Sequence, residues 1–382
     1  MPQRAIPAVF MRGGTSKAIM FHARDLPADR PEDRAEWDGI FMAALGTPDP
    51  YGRQLNGMGG GVSSLSKICV LAPSERADAD IDYTFAQVLI REARVDWKGN
   101  CGNMSSAVGP FAVDEGLVRP NGTSATVRIY NTNTKKIIHN SFEVEDGRAK
   151  VTGELAIPGV GGTGAPVRLD FVQPGGATTG RLLPSGQVVD VLDVPGFGRI
   201  EASLVDAANA SAFIRARDIG LTGRELPEEL EARPEVLALL DAIRLQASIR
   251  MGIGADLAAA RAISSVPYIG FVSPPAAAPT LSGETIAAGE IDLAARIISN
   301  GQPHRALPLT GSLCTAVAAR IEGTLVAECV GSGTGPIRIG MPSGVLTVGA
   351  DVVQEAGAWV ARAGSFYRTA RRLFDGRVWI PA

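Results

Sequence analysis

This sequence predicts a mixed α/β (α+β) protein of two similar halves, each a set of strands around one mostly apolar helix. Three observations predict it. Glycine (45) and proline (25) are abundant while aromatics are 5%, which suits many short strands and tight turns better than long helical bundles. At 382 residues the chain is too long for one ordinary core and comfortable for two domains. The chain also repeats itself. Thr310-Gly311-Ser312-Leu313-Cys314-Thr315-Ala316-Val317 aligns with Cys101-Gly102-Asn103-Met104-Ser105-Ser106-Ala107-Val108, and a Glu-Gly pair and a Leu-Val pair follow each (Glu115 to Val118, Glu322 to Val326).

Taken in order, residues 5–22 read as strand, polar turn (Arg12 to Lys17) and strand. Residues 34–45 place Trp37, Ile40, Phe41, Ala44 and Leu45 at helical spacing and stop before Gly46 and Pro48. Asn56 to Gly61 is a flexible connection into a strand over 68–71, and residues 82–95 alternate as a strand does. An apolar helix follows Cys101, and residues 126–151 form a meander broken at Asn-rich and Asp146-Gly147 turns. The Gly-, Pro- and Thr-rich stretch 158–180 holds one strand (167–172), and the domain junction is placed just after it. Residues 187–214 read as strands, and 228–251 as helix interrupted at Pro234. A strand is expected over 268–272, a strand leading into a helix over 286–299, and a helix after Thr310. Strands are expected over 323–330, 337–339 and 344–348. Residues 366–379 read as a short helix or strand plus a strand, returning to the first domain. The domains are thus 1–183, completed by 366–382, and 184–365.

The net charge is −3, and no Lys/Arg stripe interleaves with aromatics, so a nucleic-acid partner is not expected. No run approaches the length of a membrane span, so no membrane partner is expected either. The first residues lack an apolar signal core, which gives reduced thiols and a cytoplasmic location as the expectation. The four cysteines and three histidines are scattered without metal-ligand spacing. An acidic protein still binds an anionic metabolite where helix mouths and local cations set the field.

Cys101 is the leading candidate. A free cysteine is commonly a small buried hydrophobe, but the flanking Gly99, Asn100, Gly102 and Asn103 are turn and cap formers. A thiol at a helix mouth meets free N–H groups that favour anions. Gly102 and Asn103 amides there would point at a carboxylate. Two such mouths in two related halves can face one another across a cleft. Lys67 ends the polar run Ser63 to Ser66. Its bland reading is a solvated strand-end lysine, its functional one a desolvated proton acceptor. Thr15 and Ser16 read as anion contacts or a surface turn, and His304-Arg305 as a cationic contact or a surface pair. Cys69 and Cys329 are assigned to packing, and Cys314 to the helix interior. The Gly57 to Gly61 stretch matches neither the dinucleotide nor the P-loop fingerprint.

Met11-Arg12-Gly13-Gly14-Thr15-Ser16-Lys17, Gly57-Met58-Gly59-Gly60, Ser63-Ser64-Leu65-Ser66-Lys67, Asn100-Cys101-Gly102-Asn103 and Val108-Gly109-Pro110-Phe111-Ala112 together resemble the PrpF family. The resemblance runs end to end, through Pro342-Ser343-Gly344 and Arg368-Thr369-Ala370-Arg371. It implies the diaminopimelate epimerase-like fold, two pseudo-symmetric domains each with a rolled sheet around a central helix and the site between them. It implies an isomerase without metal or organic cofactor, acting on a small anionic carboxylate. The family holds 2-methylaconitate cis-trans isomerases, 4-oxalomesaconate tautomerases and aconitate or methylitaconate Δ-isomerases, the first being the leading expectation. Lys67 and Cys101 occupy the positions of its acid–base pair. Thr15, Ser16, Ser64, Ser66, Gly102, Asn103, Asn133, Asn209, His304, Thr310, Gly311 and Ser312 fall at positions that resemble ligand contacts. The epimerases carry a cysteine at both helix mouths, whereas here the second has Thr310. An amino-acid racemase or epimerase and a carboxylate-binding protein without catalysis remain alternatives. The oligomeric state is left open, a homodimer included.

Overall fold

The computed structural model describes residues 3–27, 34–97, 101–263, 266–299, 301–330, 333 and 335–381. Gly99 and Asn100 of the cysteine motif lie outside them. The chain divides into two compact units, Met1–Phe171 with Tyr367–Ala382, and Val172–Phe366.

The first unit contains β1 (Gln3–Gly13), β2 (Ser16–His22), β3 (Lys67–Pro73), β4 (Ile81–Val88), β5 (Ser124–Asn131), β6 (Lys136–Glu145) and β7 (Val167–Val172). Successive pairs run antiparallel, parallel, antiparallel, parallel, antiparallel and antiparallel. The C-terminal strand Ala370–Pro381 pairs antiparallel with β1. Because side chains alternate along each strand, this sheet has two distinct faces. One carries Ile19, Phe21, Ile68, Val70, Ala86 and Val88 and packs with Trp37, Ile40 and Phe41 of helix α1 (Arg34–Leu45). The other packs against helix α2 (Gly102–Asp114), where His22 of β2 lies 5.0 Å, ring to ring, from Phe111.

Helix α2 is apolar nearly all round, with every residue but Asn103 and Asp114 buried, as a helix enclosed by its sheet must be. Close approach requires small residues. A Cβ on Gly13 would sit 2.6 Å from the Asn103 carbonyl, and one on Gly109 would meet Asn140 Oδ1 and lie 2.7 Å from Phe142. Gly116, at φ +69°, ends the helix in the left-handed conformation, with its N–H donated to Val113 O and that of Leu117 to Ala112 O.

The second unit contains β8 (Asp190–Val194), β9 (Gly198–Ala207), β10 (Asn209–Arg215), β11 (Tyr268–Ser273), β12 (Leu293–Ser299), β13 (Ile337–Met341), β14 (Gly344–Glu355) and β15 (Ala358–Arg368). From β9 to β15 the pairing repeats the order of the first unit. Its core joins β8 to β11 with helix α3 (Pro234–Arg250). Helix α4 (Leu309–Ala318) corresponds to α2 and is buried from Gly311 to Ala318.

The repeat extends to one ion pair. Asp80, just before β4, accepts from the backbone N–H and guanidinium of Arg128 on β5. Asp292, just before β12, accepts from the same groups of Arg338 on β13. Each clasp locks the parallel pairing in its unit. Both carboxyls are held below the ordinary value. Burial opposes this at Asp80 and the Arg128 bonds outweigh it, whereas at Asp292 the Arg338 bond leads.

The structure corrects three expectations. Residues 293–299 are strand rather than helix, buried on both faces as a central strand is, which hides the alternation. Residues 325–330 are helix rather than strand, begun by Thr324, whose hydroxyl accepts from the Ala327 N–H. Of the two readings left open for residues 366–379 the structure has strand, the end of β15 followed by the C-terminal strand. The division between units falls at Phe171/Val172, before 183, because the following segment bonds to the second unit through Gln173 N to Arg362 O and Gly176 N to Asp206 O.

Two outcomes are expected. Gly109→Val lowers stability by about 1–3 kcal/mol through overpacking, read as a lower thermal midpoint. The Asp80 clasp contributes stability that is present above the ordinary carboxylate range and lost as pH falls through the lowered folded value. Asp80→Asn is therefore less stable at pH 7 than the parent but loses less on acidification from about pH 5 to pH 2.5, measured by denaturant titration.

Candidate active site

Strand register gathers the first group of residues. Ala18 of β2 pairs with Lys67 of β3, and Lys67 with Gln87 of β4. Two residues along, Ser16 shares their face, as do Cys69 and Phe85, which pair with one another. This is the face toward α2.

Lys67 is 8% exposed, and its ammonium donates to Gln87 Oε1 at 2.5 Å and lies 5.1 Å from the Phe85 ring centre. The orientation of Gln87 is determined by its own donors. Gln87 Nε2 donates to the carbonyls of Ser63 (3.0 Å) and Ser66 (2.8 Å), so only the oxygen faces Lys67. An acceptor and an aromatic face are both favourable surroundings for a cation. The sequence reading did not single out Gln87. A cross-strand partner of Lys67 becomes visible only with the register.

Cys101 is the extended residue that caps α2, with φ −111° and ψ 98°, and its carbonyl accepts the first helical bond from Ser105 N–H at 2.8 Å. Its half-buried thiol lies 3.9 Å from the Ser16 hydroxyl. Ser16 thus stands beside Cys101 and one alternation along from the Ala18–Lys67 pair. Beneath them is Cys69, fully buried, which burial pushes up strongly, with a negative Cys101 adding to the rise and Lys67 opposing it. Cys69 bonds Tyr83 Oη at 3.9 Å, and burial likewise pushes Tyr83 well up. The floor of the site is therefore neutral and apolar.

Asn103 completes the mouth. Its Nδ2 donates to Thr15 Oγ1 at 3.0 Å, and its Oδ1 accepts from Arg368 Nε at 3.0 Å. Gly14 makes room for this at φ +52°, where an added Cβ would collide with the Asn103 side chain and come within 3.0 Å of Arg368 Cδ. Arg368 is a second residue missed as a site candidate, although its run was part of the family motif.

Several expected contacts do other work. The Ser66 hydroxyl is fully buried, donating to Val88 O and accepting from Gln54 Nε2, on the face opposite Lys67. Asn133 uses its amide on the backbone, accepting from Phe85 N–H and donating to Phe85 O and Trp97 O. It staples the end of β4 beside Lys67. Ser64 is half-buried in the single turn Ser63–Leu65.

In the second unit the same register places Asn209 where Ser16 stands, Tyr268 where Lys67 stands (paired with Ser211), and Ser299 where Gln87 stands. Ser299 Oγ lies 2.6 Å from His304 Nε2, and the Tyr268 and His304 rings are 6.2 Å apart. Burial lowers His304 from its ordinary value. Helix α4 begins at Leu309, capped by Pro308, so Thr310 lies inside the first turn rather than capping it as Cys101 does. Gly311 leaves room for Ile297, 2.7 Å from an added Cβ, and for Tyr268. The Ser312 hydroxyl turns back to Leu309 O and is fully buried, and Asn209 Nδ2 donates to Ala210 O. The first bond takes the Ser312 hydroxyl proton away from a ligand, and the second uses one of the two N–H donors of Asn209. Cys314 is fully buried, donates to Val205 O at 3.3 Å and is pushed up by burial to about 12. It is no counterpart to Cys101. Among the described residues no group of three His, Cys, Asp or Glu side chains could hold a metal ion.

A family model described as "PrpF protein" matches residues 3–381. The chain is 39% identical to the 2-methyl-aconitate isomerase of Shewanella oneidensis, covering 100% of this chain and 98% of that one. It is 41% identical to the 3-methylitaconate isomerase of Eubacterium barkeri, over 99% of this chain and 98% of that one. The chain belongs to the PrpF family. A crystal structure of methylitaconate-delta-isomerase superposes with a TM-score of 0.89 at 40% identity, covering 100% of this chain and 96% of that one. For this PrpF-family member, Gln87→Leu removes the acceptor of a charged donor and is expected to lower turnover about 10–100-fold. Circular dichroism unchanged from the parent shows that the loss is local.

Proposed function

We propose that this isomerase of the PrpF family moves an allylic proton of a small unsaturated di- or tricarboxylate, with 2-methylaconitate as the leading substrate. The observation that carries the reading is the pairing, within one unit, of a desolvated amine oriented by Gln87 with a thiol at a helix mouth, both around Ser16. A carbon acid beside a carboxylate needs a base, an acid and stabilisation of the intermediate enolate.

Lys67 and Cys101 serve as the acid–base pair: one removes the proton from the allylic carbon and the other returns a proton to the allylic system. In the intermediate, charge spreads over carbon and carboxylate. N–H groups at the start of α2 and the hydroxyls of Thr15 and Ser16 are arranged to receive that charge, in the manner of an oxyanion hole. The apolar floor made by Cys69, Phe85 and Tyr83 excludes water and strengthens each of these interactions. Rotation about the delocalised bond gives cis-trans isomerisation, and reprotonation at the far carbon gives a shifted double bond. Every proton removed is matched by one returned, so the chemistry is redox-neutral.

The two-thiol racemase reading loses its support, because Thr310 replaces the second thiol and Cys314 is sealed in its helix. A non-catalytic carboxylate binder would bind without solvent exchange.

The test is proton NMR in D₂O with 2-methyl-trans-aconitate, methylitaconate, trans-aconitate and 4-oxalomesaconate. Deuterium incorporation with isomer formation is expected for at least one of them, and its absence from all four would sink the reading. Lys67→Ala and Cys101→Ser are each expected to lose about 10²–10⁴-fold in turnover. Full turnover in either variant removes that residue from the pair.

A further inference from the structure

The mechanism above uses a thiol and an amine but leaves one charged group unexplained. Arg368, the last residue of β15, is carried by the chain back into the first unit. Its Nε bonds Asn103 Oδ1 at 3.0 Å, and its Nη1 bonds the Tyr367 carbonyl at 2.9 Å. The next residue laces the same place together. Thr369, 2% exposed, accepts through its carbonyl from Gly14 N–H (2.9 Å) and from Arg12 Nη1 (2.9 Å). Three segments thus meet at the mouth of α2: the β1–β2 hairpin, the helix start and residues 368–369.

Burial pulls the Arg368 guanidinium down to about 10, and a negative Cys101 opposes that fall. It remains a cation at neutral pH, two residues from Cys101 through its bond to Asn103. The guanidinium is half-buried, and withdrawing even part of it from water is costly, so its hold by a side-chain amide calls for a role.

We propose that Arg368 is a positioning residue of this site: locked through Asn103, its guanidinium sets the positive field in which the Cys101 side chain meets an anionic carboxylate ligand. The inference rests on the acid–base role of Cys101 and deepens it. The same bond sets the Asn103 amide, because an oxygen held by Arg368 leaves Nδ2 for Thr15. Charge placement and hairpin position are therefore one device. The field acts at short range over an apolar floor, so it is screened little by salt compared with a surface charge.

The test compares alkylation of Cys101 by iodoacetate and by iodoacetamide in the full chain. Cys69 and Cys314 are buried, and Cys329→Ser removes the remaining half-buried thiol. Both reagents attack the same thiolate, so the ratio of their rate constants cancels the thiolate fraction and reads the local field. Arg368→Gln is expected to lower the iodoacetate-to-iodoacetamide ratio about three- to tenfold, and Arg368→Lys to keep most of it. Should the Gln variant fail to fold by circular dichroism, Arg368→Met, which keeps the stem against Gly14, takes its place. A ratio within twofold of the parent in the neutral variants, or a Lys variant as low as they are, overturns the proposal. The readout needs no turnover. Failure of the deuterium experiment with a charge-dependent ratio sinks the isomerase reading alone, while the converse result sinks this inference alone.

Discussion

The contact on which the site depends is the approach of α2 to the β1–β2 hairpin at backbone distance. Gly13 presents no Cβ to the Asn103 carbonyl, and Gly14, at φ +52°, turns the chain where any side chain would strike Asn103. A methyl group at either position would push the helix start outward, and Cys101 with it. The thiol reaches Ser16, and Asn103 reaches Thr15 and Arg368, because this gap is closed to van der Waals contact. Tight packing of apolar helix residues behind the mouth supplies the force that keeps it closed.

Two units share one pairing order and one clasp, Asp80–Arg128 and Asp292–Arg338, and the proposed acid–base pair lies in the first. Lys67, Gln87, Ser16 and Cys101 are answered in the second by Tyr268, Ser299, Asn209 and Thr310. The scaffolding pairs are retained because each fixes a parallel register on which a whole face depends. The positions of the proposed site lie on that face or at the helix mouth packed on it, outside the clasp, so they are free to differ. Local chemistry follows the same division. Cys101 caps its helix, whereas Thr310 sits within a turn begun by Leu309.

Within the first unit the electrostatics are uneven by construction. Cys69 and Tyr83, raised by burial, stay neutral and make a low-dielectric floor. Cations stand to either side, Lys67 over Phe85 and Arg368 on Asn103. Such a setting favours an anion at the helix mouth despite a net charge of −3 for the chain, since a field over a few ångströms is decided by its nearest charges.

Much of this was legible in the residues alone. Helix 34–45, the strand over 167–172, the apolar helix after Cys101 and the internal repeat follow from periodicity, caps and glycine placement, which are local properties. Lys67 and Cys101 stood out through their motifs. Strand 293–299 did not, because burial on both faces erases alternation, and the short helix 325–330 was too brief for a period to show. The partners of the proposed pair were decided only by the tertiary structure. Gln87 meets Lys67 through strand register, and Arg368 meets Asn103 across most of the chain. Conversely, Ser66 and Asn133, plausible ligands by position, were assigned by the fold to Gln54, Val88, Phe85 and Trp97. Sequence determines which groups are available and how each segment coils. Which of them face one another depends on pairing between distant strands, and a shift of one residue in that pairing reverses every side chain.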